Sequence, residues 1–190
     1  MINIENACCF TGYRPEKFPF EFESDCPEHR EFIRRLVLSI SETIKKGCTV
    51  FYCGMAQGFD IVAGEHVAVF KKANKNIKLI GVVPFKNMEK SWSLDWKKRY
   101  NDLLAECDEV VVLNDTYGKW VFEQRNRYMV DRSRYVLTYF DGQKGGTDNT
   151  VRYAVKHARE IFNIFETDPM ADVMANLKCT AILYPPEEES

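Results

Sequence analysis

The sequence predicts an α/β fold in which helices cover both faces of a mostly parallel sheet. Short apolar runs alternate with longer segments of helical spacing, as in successive βαβ units. One run, residues 77–83, is continuously apolar, which is typical of a strand covered on both faces. Turns rich in glycine or polar residues follow the runs, and such turns join strands to helices.

Six short apolar runs are predicted to be strands, because each is bounded by turn residues. Gly12 follows the first run closely, and Pro84 ends the third because it cannot donate to a strand ladder. The predicted strands are residues 6–10, 48–53, 77–83, 109–113, 135–140 and 161–165.

Five segments are predicted to be helices. The first is the best defined, because Phe32, Leu36, Ile40 and Ile44 recur every four residues and Gly47 follows at the usual C-terminal position. The predicted helices are residues 28–46, 61–74, 89–106, 121–133 and a segment from 148 or 149 to 159, whereas residues 17–26 are predicted to form a loop.

The length of 190 residues favours one domain with a short appendage. We assign residues 1–165 to the α/β domain and residues 166–190 to a C-terminal extension that is partly loose. Within the extension, residues 169–177 are predicted to form a short helix and residues 185–190 an acidic tail.

Composition narrows the classes of function. The net charge of −2 gives no overall attraction to nucleic acid or to a membrane surface. No apolar run approaches the roughly 20 residues that span a bilayer, and the N-terminus does not resemble a signal peptide. The seven cysteines lack the spacing of a metal site, so we expect buried thiols, no metal and a cytoplasmic location.

The turns after the predicted strands indicate where a ligand would bind. The carboxyl ends of parallel strands share one edge of the sheet, and ligands of such folds bind there. We therefore expect a binding site built from the turns at residues 11–14, 54–60, 84–85, 114–118 and 142–147.

The turn from Gly54 to Asp60 lies between a strand and a helix, where glycine permits a tight bend and close approach of a ligand. Its spacing matches neither the dinucleotide-binding glycine pattern nor the P-loop. Asp60 has two interpretations. It complements the dipole of the helix, or it accepts hydrogen bonds from a ribose or from Thr11.

Two other turns are better suited to phosphate. Arg14 follows Thr11 and Gly12, and its guanidinium can bind phosphate through two hydrogen bonds. The turn at residues 145–147 opens a helix, whose free amides favour anions. The alternative interpretation of Arg14 is an ordinary surface arginine beside a turn.

The helix after the fourth strand carries a charged segment, residues 123–127. Arg125 and Asn126 reach the site only if this helix begins at its rim, and a solvated charged face is the alternative. Base stacking is a candidate role for Phe85, Trp92 or Tyr117. Because Trp92, Trp96 and Tyr100 recur at helical spacing, a core stripe is the favoured interpretation of those three.

Four motifs together resemble the YpsA-like family of the SLOG superfamily, whose members are Rossmann-like nucleotide-ligand-binding proteins. The motifs are Thr-Gly-x-Arg-Pro at residues 11–15, Gly-Met-Ala-x-Gly-x-Asp at 54–60, Gln-Arg-Asn-Arg-Tyr-Met-Val-Asp at 124–131 and Lys-Gly-Gly-Thr-x-x-Thr at 144–150. The resemblance spans residues 6–165 and implies a Rossmann-like three-layer sandwich.

Two related groups sharpen the expectation. The turn at residues 54–60 also resembles that of the DNA-processing protein DprA, but Gly64 stands where that protein has a histidine. In the LOG phosphoribohydrolases an Arg-Lys pair aligns with Arg125 and Asn126, and a catalytic glutamate aligns with Thr150. The resemblance therefore implies phosphate binding more directly than catalysis.

We expect the domain to bind or sense a nucleotide or nucleotide-derived small molecule, such as an ADP-ribose-like ligand. The alternative is an enzyme that hydrolyses an N-glycosidic or phosphoribosyl bond, and a single-stranded nucleic-acid binder ranks third. A small-molecule partner is favoured over nucleic acid, we expect no insertion into a membrane, and the chain could form a homo-oligomer. The predicted ligand-binding residues are Thr11, Gly12, Arg14, Gly54, Met55, Ala56, Gly58, Asp60, Arg125, Asn126, Gly145, Gly146, Thr147 and Thr150, and the candidate catalytic carboxylates are Asp60 and Glu123.

Overall fold

The computed structural model describes residues 4–22 and 24–165. Its strands are β1 Ala7–Thr11, β2 Val50–Cys53, β3 Lys78–Val83, β4 Glu109–Val112, β5 Tyr135–Thr138 and β6 Glu160–Asn163. Its α-helices are α1 Pro27–Lys45, α2 Phe59–Ala73, α3 Leu94–Glu106, α4 Val121–Asp131 and α5 Gly146–Lys156, and a 3-10 helix spans Pro15–Lys17.

The six strands form one sheet in the order β4-β3-β2-β1-β5-β6, and every pairing is parallel. β1 lies in the middle of the sheet, and β2, β3 and β4 are added in turn on one side of it. A crossover after β4 then places β5 on the other side of β1, and β6 follows at that edge. Thr11 and Thr138 are paired at the carboxyl ends of β1 and β5. The predicted α/β, Rossmann-like sandwich is confirmed, and its switch point lies between β1 and β5.

The two faces of the sheet carry different amounts of core. Cys8 and Phe10 of β1 point into the cluster covered by α1, α2 and α3, whereas Cys9 points into the cluster beneath α4 and α5. This alternation follows from the two-residue period of a strand. The first cluster is much larger and rich in aromatic rings, while the second is small and mostly aliphatic.

The segment predicted as a loop at residues 17–26 contributes to the larger core. Phe18 is 8% exposed, and its ring centroid lies 4.6 Å from that of Phe22 and 5.1 Å from that of Phe32. The irregular spacing of these phenylalanines hid their burial, because they are brought inward by a loop rather than by a periodic element.

Most observed boundaries lie within three residues of the predicted ones, but α3 begins at Leu94 rather than at residue 89. Ser93 occupies the N-cap position, and Asn87 has a left-handed φ of 60°, which is incompatible with a continuous helix. Trp92 therefore precedes the helix, yet its ring still packs edge-on against Tyr100 at 5.5 Å.

The predicted helix at residues 169–177 and the rest of the C-terminal extension lie outside the described residues. Among the helices of the described ranges, none is long and apolar enough to cross a membrane.

Candidate functional site at the carboxyl edge of the sheet

A cavity of about 280 Å³ opens at the carboxyl edge, beside the switch point between β1 and β5. We call it the inner cavity. Its walls come from the ends of β1 and β5 and from the first turns of α2, α4 and α5, as expected for this type of sheet. It is lined by Thr11, Gly12, Tyr13, Arg14, Lys17, Ala56, Asp60, Phe122, Arg125, Asn126, Gly146 and Thr147.

The loop after β1 packs directly on the start of α2. A Cβ on Gly12 would lie 2.3 Å from Cγ of Phe59, and a Cβ on Gly58 would lie 2.5 Å from the carbonyl oxygen of Tyr13. The amide of Phe59 donates to that same carbonyl at 3.0 Å. Gly58 also has a φ of 89°, which glycine adopts without strain. These two glycines therefore allow the loops to pack closely.

A buried ionic network forms the floor of the inner cavity. The side chains of Arg125 and Asp60 are each 7% exposed, and Nη1 of Arg125 lies 3.6 Å from Oδ2 of Asp60. The same Nη1 donates to the carbonyl oxygen of Gly54, and Nε donates to Oδ1 of Asn126 at 2.8 Å. A Cβ on Gly54 would lie 2.5 Å from both charged groups. Gly54 thus makes room for the network rather than for a ligand.

The carboxyl group of Asp60, on the wall of the cavity, has a perturbed pKa. Burial raises its pKa to about 6, and the attraction of Arg125 and a hydrogen bond from the backbone of Ala56 oppose this rise. Arg125 retains its proton, because guanidinium does not deprotonate in proteins. Asp60 is therefore a buried carboxylate near neutral pH, with an oxygen on the cavity wall.

The start of α5 lies on the opposite wall. Apart from its chain neighbours and the backbone of its own helix, no described residue comes within 4 Å of a Cβ built on Gly146, so the backbone here is open to the cavity. The hydroxyl of Thr147 donates to the carbonyl of Gly12 at 3.0 Å, which anchors the helix to the β1 loop. Thr150 accepts from Nδ2 of Asn126 at 2.7 Å and donates to the carbonyl of Gly146 at 2.8 Å. These bonds hold the first turn of α5 with its free amides at the cavity.

Two cations stand at the mouth of the inner cavity. Arg14 and Lys17 are exposed, and neither forms an ion pair within the part of the chain that the structure describes. A Cβ on Gly145 would lie 3.2 Å from Nζ of Lys17, so this amine reaches the start of α5. Together with the helix dipole, they make the mouth electropositive.

An aromatic cluster borders the same mouth. The ring centroid of Phe122 lies 5.9 Å from that of Phe85 and 6.3 Å from that of Tyr117, and Cζ of Arg14 lies 5.8 Å from the Phe122 ring. Phe122 lines the inner cavity, whereas Phe85 and Tyr117 support it from behind. Of the three proposed stacking residues, Trp92 instead packs on Tyr100 in the core stripe.

A second hollow of about 600 Å³ lies between α4 and α5 and adjoins the inner cavity. We call it the α4–α5 groove. The two spaces share Phe122, Asn126 and Gly146. The groove is lined by Lys119, Trp120, Phe122, Glu123, Asn126, Arg127, Gly146, Asn149, Thr150, Arg152, Tyr153 and Lys156.

Comparison with known proteins assigns the family. The YpsA family model, described as the YspA SLOG family, matches residues 8–168. The chain belongs to this family. This confirms the resemblance noted in the sequence, and the four motifs that suggested it lie within the matched residues.

Relatives of this YpsA-family chain include the uncharacterized SPbeta prophage-derived protein YoqJ of Bacillus subtilis strain 168. It is 33% identical over 135 residues, which cover 64% of the chain and 79% of YoqJ. A UPF0398 protein of Bacillus thuringiensis strain Al Hakam is 23% identical over 155 residues, covering 80% of the chain and 84% of that protein.

Two solved structures share the fold. DNA processing protein A from Streptococcus pneumoniae superposes with a TM-score of 0.53 at 17% identity, covering 88% of the chain. The chain spans only 56% of that protein. The second structure is DNA processing protein A from Helicobacter pylori, described by its single-stranded DNA binding mode. It superposes with a TM-score of 0.55 at 17% identity, and the match covers 92% of the chain and 74% of the Helicobacter pylori protein. At this identity the likeness shows the fold alone.

The structure of this YpsA-family domain brings most of the predicted site residues together. Thr11, Gly12, Arg14, Ala56, Asp60, Arg125, Asn126, Gly146 and Thr147 line the inner cavity, where ligand binding stays a prediction. Gly54, Met55 and Gly58 lie behind its wall, Gly145 flanks the start of α5, and Thr150 lines the groove. The two candidate carboxylates are separated, because Glu123 lines the groove and pairs with Arg127.

Sequence reasoning missed three residues of the inner cavity, namely Tyr13, Lys17 and Phe122. Tyr13 lies inside the Thr-Gly-x-Arg motif, so its position in the sequence could have identified it as a residue of the cavity. Phe122 lies three residues before Arg125, and that helical spacing also pointed to it. Lys17 gave none, because a short 3-10 helix turns it toward α5.

Proposed function

We propose that the inner cavity binds a nucleotide or nucleotide-derived ligand through its phosphate and its sugar. The observation that carries this proposal is the meeting, in one cavity, of two cations that form no ion pair with a described residue, a helix N-terminus and a buried carboxylate. The cations and the helix N-terminus favour a phosphate group, and the buried carboxylate favours sugar hydroxyls.

The phosphate would lie between Arg14, Lys17 and the first amides of α5. Arg14 offers two hydrogen bonds in a planar fork, and Lys17 offers a compact charge close to Gly145. Arg125, which the LOG resemblance favoured for phosphate, already neutralises Asp60 and binds the carbonyl of Gly54. We therefore assign Arg125 a positioning role and the anion to the two exposed cations.

The sugar and base would occupy the rest of the cavity. Asp60 is mostly ionised at pH 7, so its oxygen can accept a hydrogen bond from a ribose hydroxyl. Phe122 offers an apolar ring at the mouth for a base. Simpler nucleotides and an ADP-ribose-like molecule both carry these groups.

Calorimetry with a panel of mononucleotides, dinucleotides and ADP-ribose tests the proposal. We expect at least one to bind, and we expect Arg14→Ala and Lys17→Ala each to weaken that binding by about tenfold, the usual effect of losing a charge-assisted hydrogen bond. Lys75→Ala is the matched control, because Lys75 is exposed at the opposite edge of the sheet. Absence of binding across the panel would refute the proposal.

A single-stranded nucleic-acid ligand is the second candidate. The α4–α5 groove favours it, because both lysine and aromatic side chains line it. The shared fold with DNA processing protein A is consistent with it. Fluorescence anisotropy with a labelled oligonucleotide should then show affinity that falls steeply with salt. Affinity that is absent or unaffected by salt excludes this candidate.

Hydrolysis of an N-glycosidic bond is supported by only one of the two candidate catalytic carboxylates, Asp60. Asp60 lines the cavity, whereas Glu123 does not. At the position of the LOG glutamate, the Thr150 hydroxyl bonds to the carbonyl of Gly146. Incubation with nucleoside monophosphates should release free base if the reaction occurs, and Asp60→Asn should then abolish the release.

A further inference from the structure

We propose that the α4–α5 groove is a second subsite, which binds a further nucleotide unit joined through phosphate to the unit in the inner cavity. This inference rests on the proposed function of the inner cavity. It concerns residues outside the family motifs, chiefly Lys119, Trp120, Tyr153 and Lys156.

The groove adjoins the inner cavity. Phe122, Asn126 and Gly146 belong to the walls of both, so one ligand that extends over these three residues would contact both spaces. The inner cavity, at about 280 Å³, is slightly smaller than the roughly 300–1,000 Å³ typical of small-molecule sites. The groove adds about 600 Å³, which leaves room for a larger ligand than one nucleotide.

The charge of the groove favours a phosphate-linked ligand. Its two arginines already have acidic partners, since Arg127 pairs with Glu123 and Arg152 with Asp148. Lys119 and Lys156 also line the groove and form no ion pair among the residues described. These lysines therefore leave the groove with an excess of positive charge available to phosphate.

The aromatic side chains of the groove favour a base. Trp120 is 64% exposed at the start of α4, so much of its ring is available to a ligand. Nζ of Lys119 lies 4.9 Å from its ring centroid, and Cζ of Arg127 lies 5.1 Å from that of Tyr153. Aromatic rings beside cations are the combination that stacks on bases while the cations approach the linking phosphate.

Binding of three adenosine ligands to the full chain tests the second subsite. The ligands are adenosine monophosphate, a dinucleotide linked 5′–5′ by pyrophosphate, and a 5′-phosphorylated dinucleotide linked 3′–5′ by phosphodiester. We expect a dinucleotide to bind about tenfold more tightly than the monophosphate, the gain typical of one stacked base. The linkage that shows the gain identifies the source of the second unit as a free dinucleotide or a strand end.

The double variant Trp120→Ala with Lys156→Ala should abolish this gain and leave binding of the monophosphate unchanged. Both side chains are exposed and lie outside the inner cavity, so the variant should fold, and Lys75→Ala again serves as the control. Binding of the monophosphate with no gain for either dinucleotide, or a gain that survives the double variant, would overturn the second subsite alone. If no nucleotide binds, the proposed function itself fails, and the second subsite with it.

Discussion

Two glycine-containing turns join a strand to a helix at the same edge of the sheet, yet their glycines serve different purposes. In the β2–α2 turn, residues 54–58, a Cβ on Gly54 or Gly58 would lie 2.5 Å from neighbouring atoms. In the β5–α5 turn, residues 139–145, a Cβ on Gly142 would meet no other described residue within 4 Å, and the same holds for Gly146 just beyond the turn. A Cβ on Gly145 would lie 3.2 Å from Nζ of Lys17, the far end of a flexible side chain. Glycine therefore marks close packing in the first turn and a more open backbone in the second.

The β2–α2 turn is also held by its surroundings. Met55 has a left-handed φ of 58°, which is unfavourable for a side chain of this size, and it is fully buried. Burial of the thioether in the core stabilises the strained backbone. The first turn is thus a rigid support, and the second presents free amides to a ligand.

Removal of Arg125, which binds the first turn through the carbonyl of Gly54, should cause the largest loss of stability. Arg125→Met leaves Asp60 buried without its partner, so we expect a loss of about 3–5 kcal/mol in the free energy of unfolding at pH 7. Urea denaturation measures this loss. The double variant with Asp60→Asn should regain most of it, because no isolated charge then remains. A loss below about 1 kcal/mol for Arg125→Met would contradict the role of the network.

The pH dependence of the free energy of unfolding tests the burial of Asp60 in this network. The pKa of Asp60 is raised from 3.8 to about 6, so between these values the folded protein keeps a proton that the unfolded chain releases. The stability that this group contributes therefore falls as the pH rises from about 4 to about 6. We expect wild type to lose up to about 3 kcal/mol relative to Asp60→Asn over this window. Parallel pH profiles for the two proteins would contradict the shift.

Adding one methyl group to a glycine of the first turn, and one to the glycine that follows the second turn, compares the two regions directly. Gly58→Ala forces alanine into a φ of 89° against the carbonyl of Tyr13, and we expect it to cost about 2–3 kcal/mol. Gly146→Ala meets no neighbour and should change stability by less than about 0.5 kcal/mol. Thermal unfolding of both variants gives the comparison, and equal losses would show that the two turns do not differ.

The smallest effect concerns the hydrogen bonds that join α4 to α5. Thr150→Val removes the acceptor of Asn126 and the donor to the carbonyl of Gly146, so we expect a loss of about 1 kcal/mol. Thr150→Ser retains the hydroxyl and should keep most of that stability. If serine and valine destabilise equally, the lost methyl contacts and not the hydrogen bonds explain the effect.

Much of the fold was predictable because it follows from local patterns. The four-residue spacing from Phe32 to Ile44 and the continuous apolar run at residues 77–83 identified α1 and β3 with nearly correct bounds. The aromatic segment from Phe18 to Phe22 was predicted as a loop, which is correct, but its burial depends on contacts with distant helices. Sequence periodicity carries no information on such contacts.

The sequence by itself determined the parallel α/β architecture and the edge at which polar turns meet, since strand order along the chain and glycine positions are local properties. Only the tertiary structure decided which groups are available to a ligand. It paired Arg125 with Asp60 beneath the cavity and separated Glu123 from the inner wall, and within residues 4–22 and 24–165 it left Arg14 and Lys17 without ion pairs. The physical reason is that burial and ion pairing arise between residues far apart in the chain.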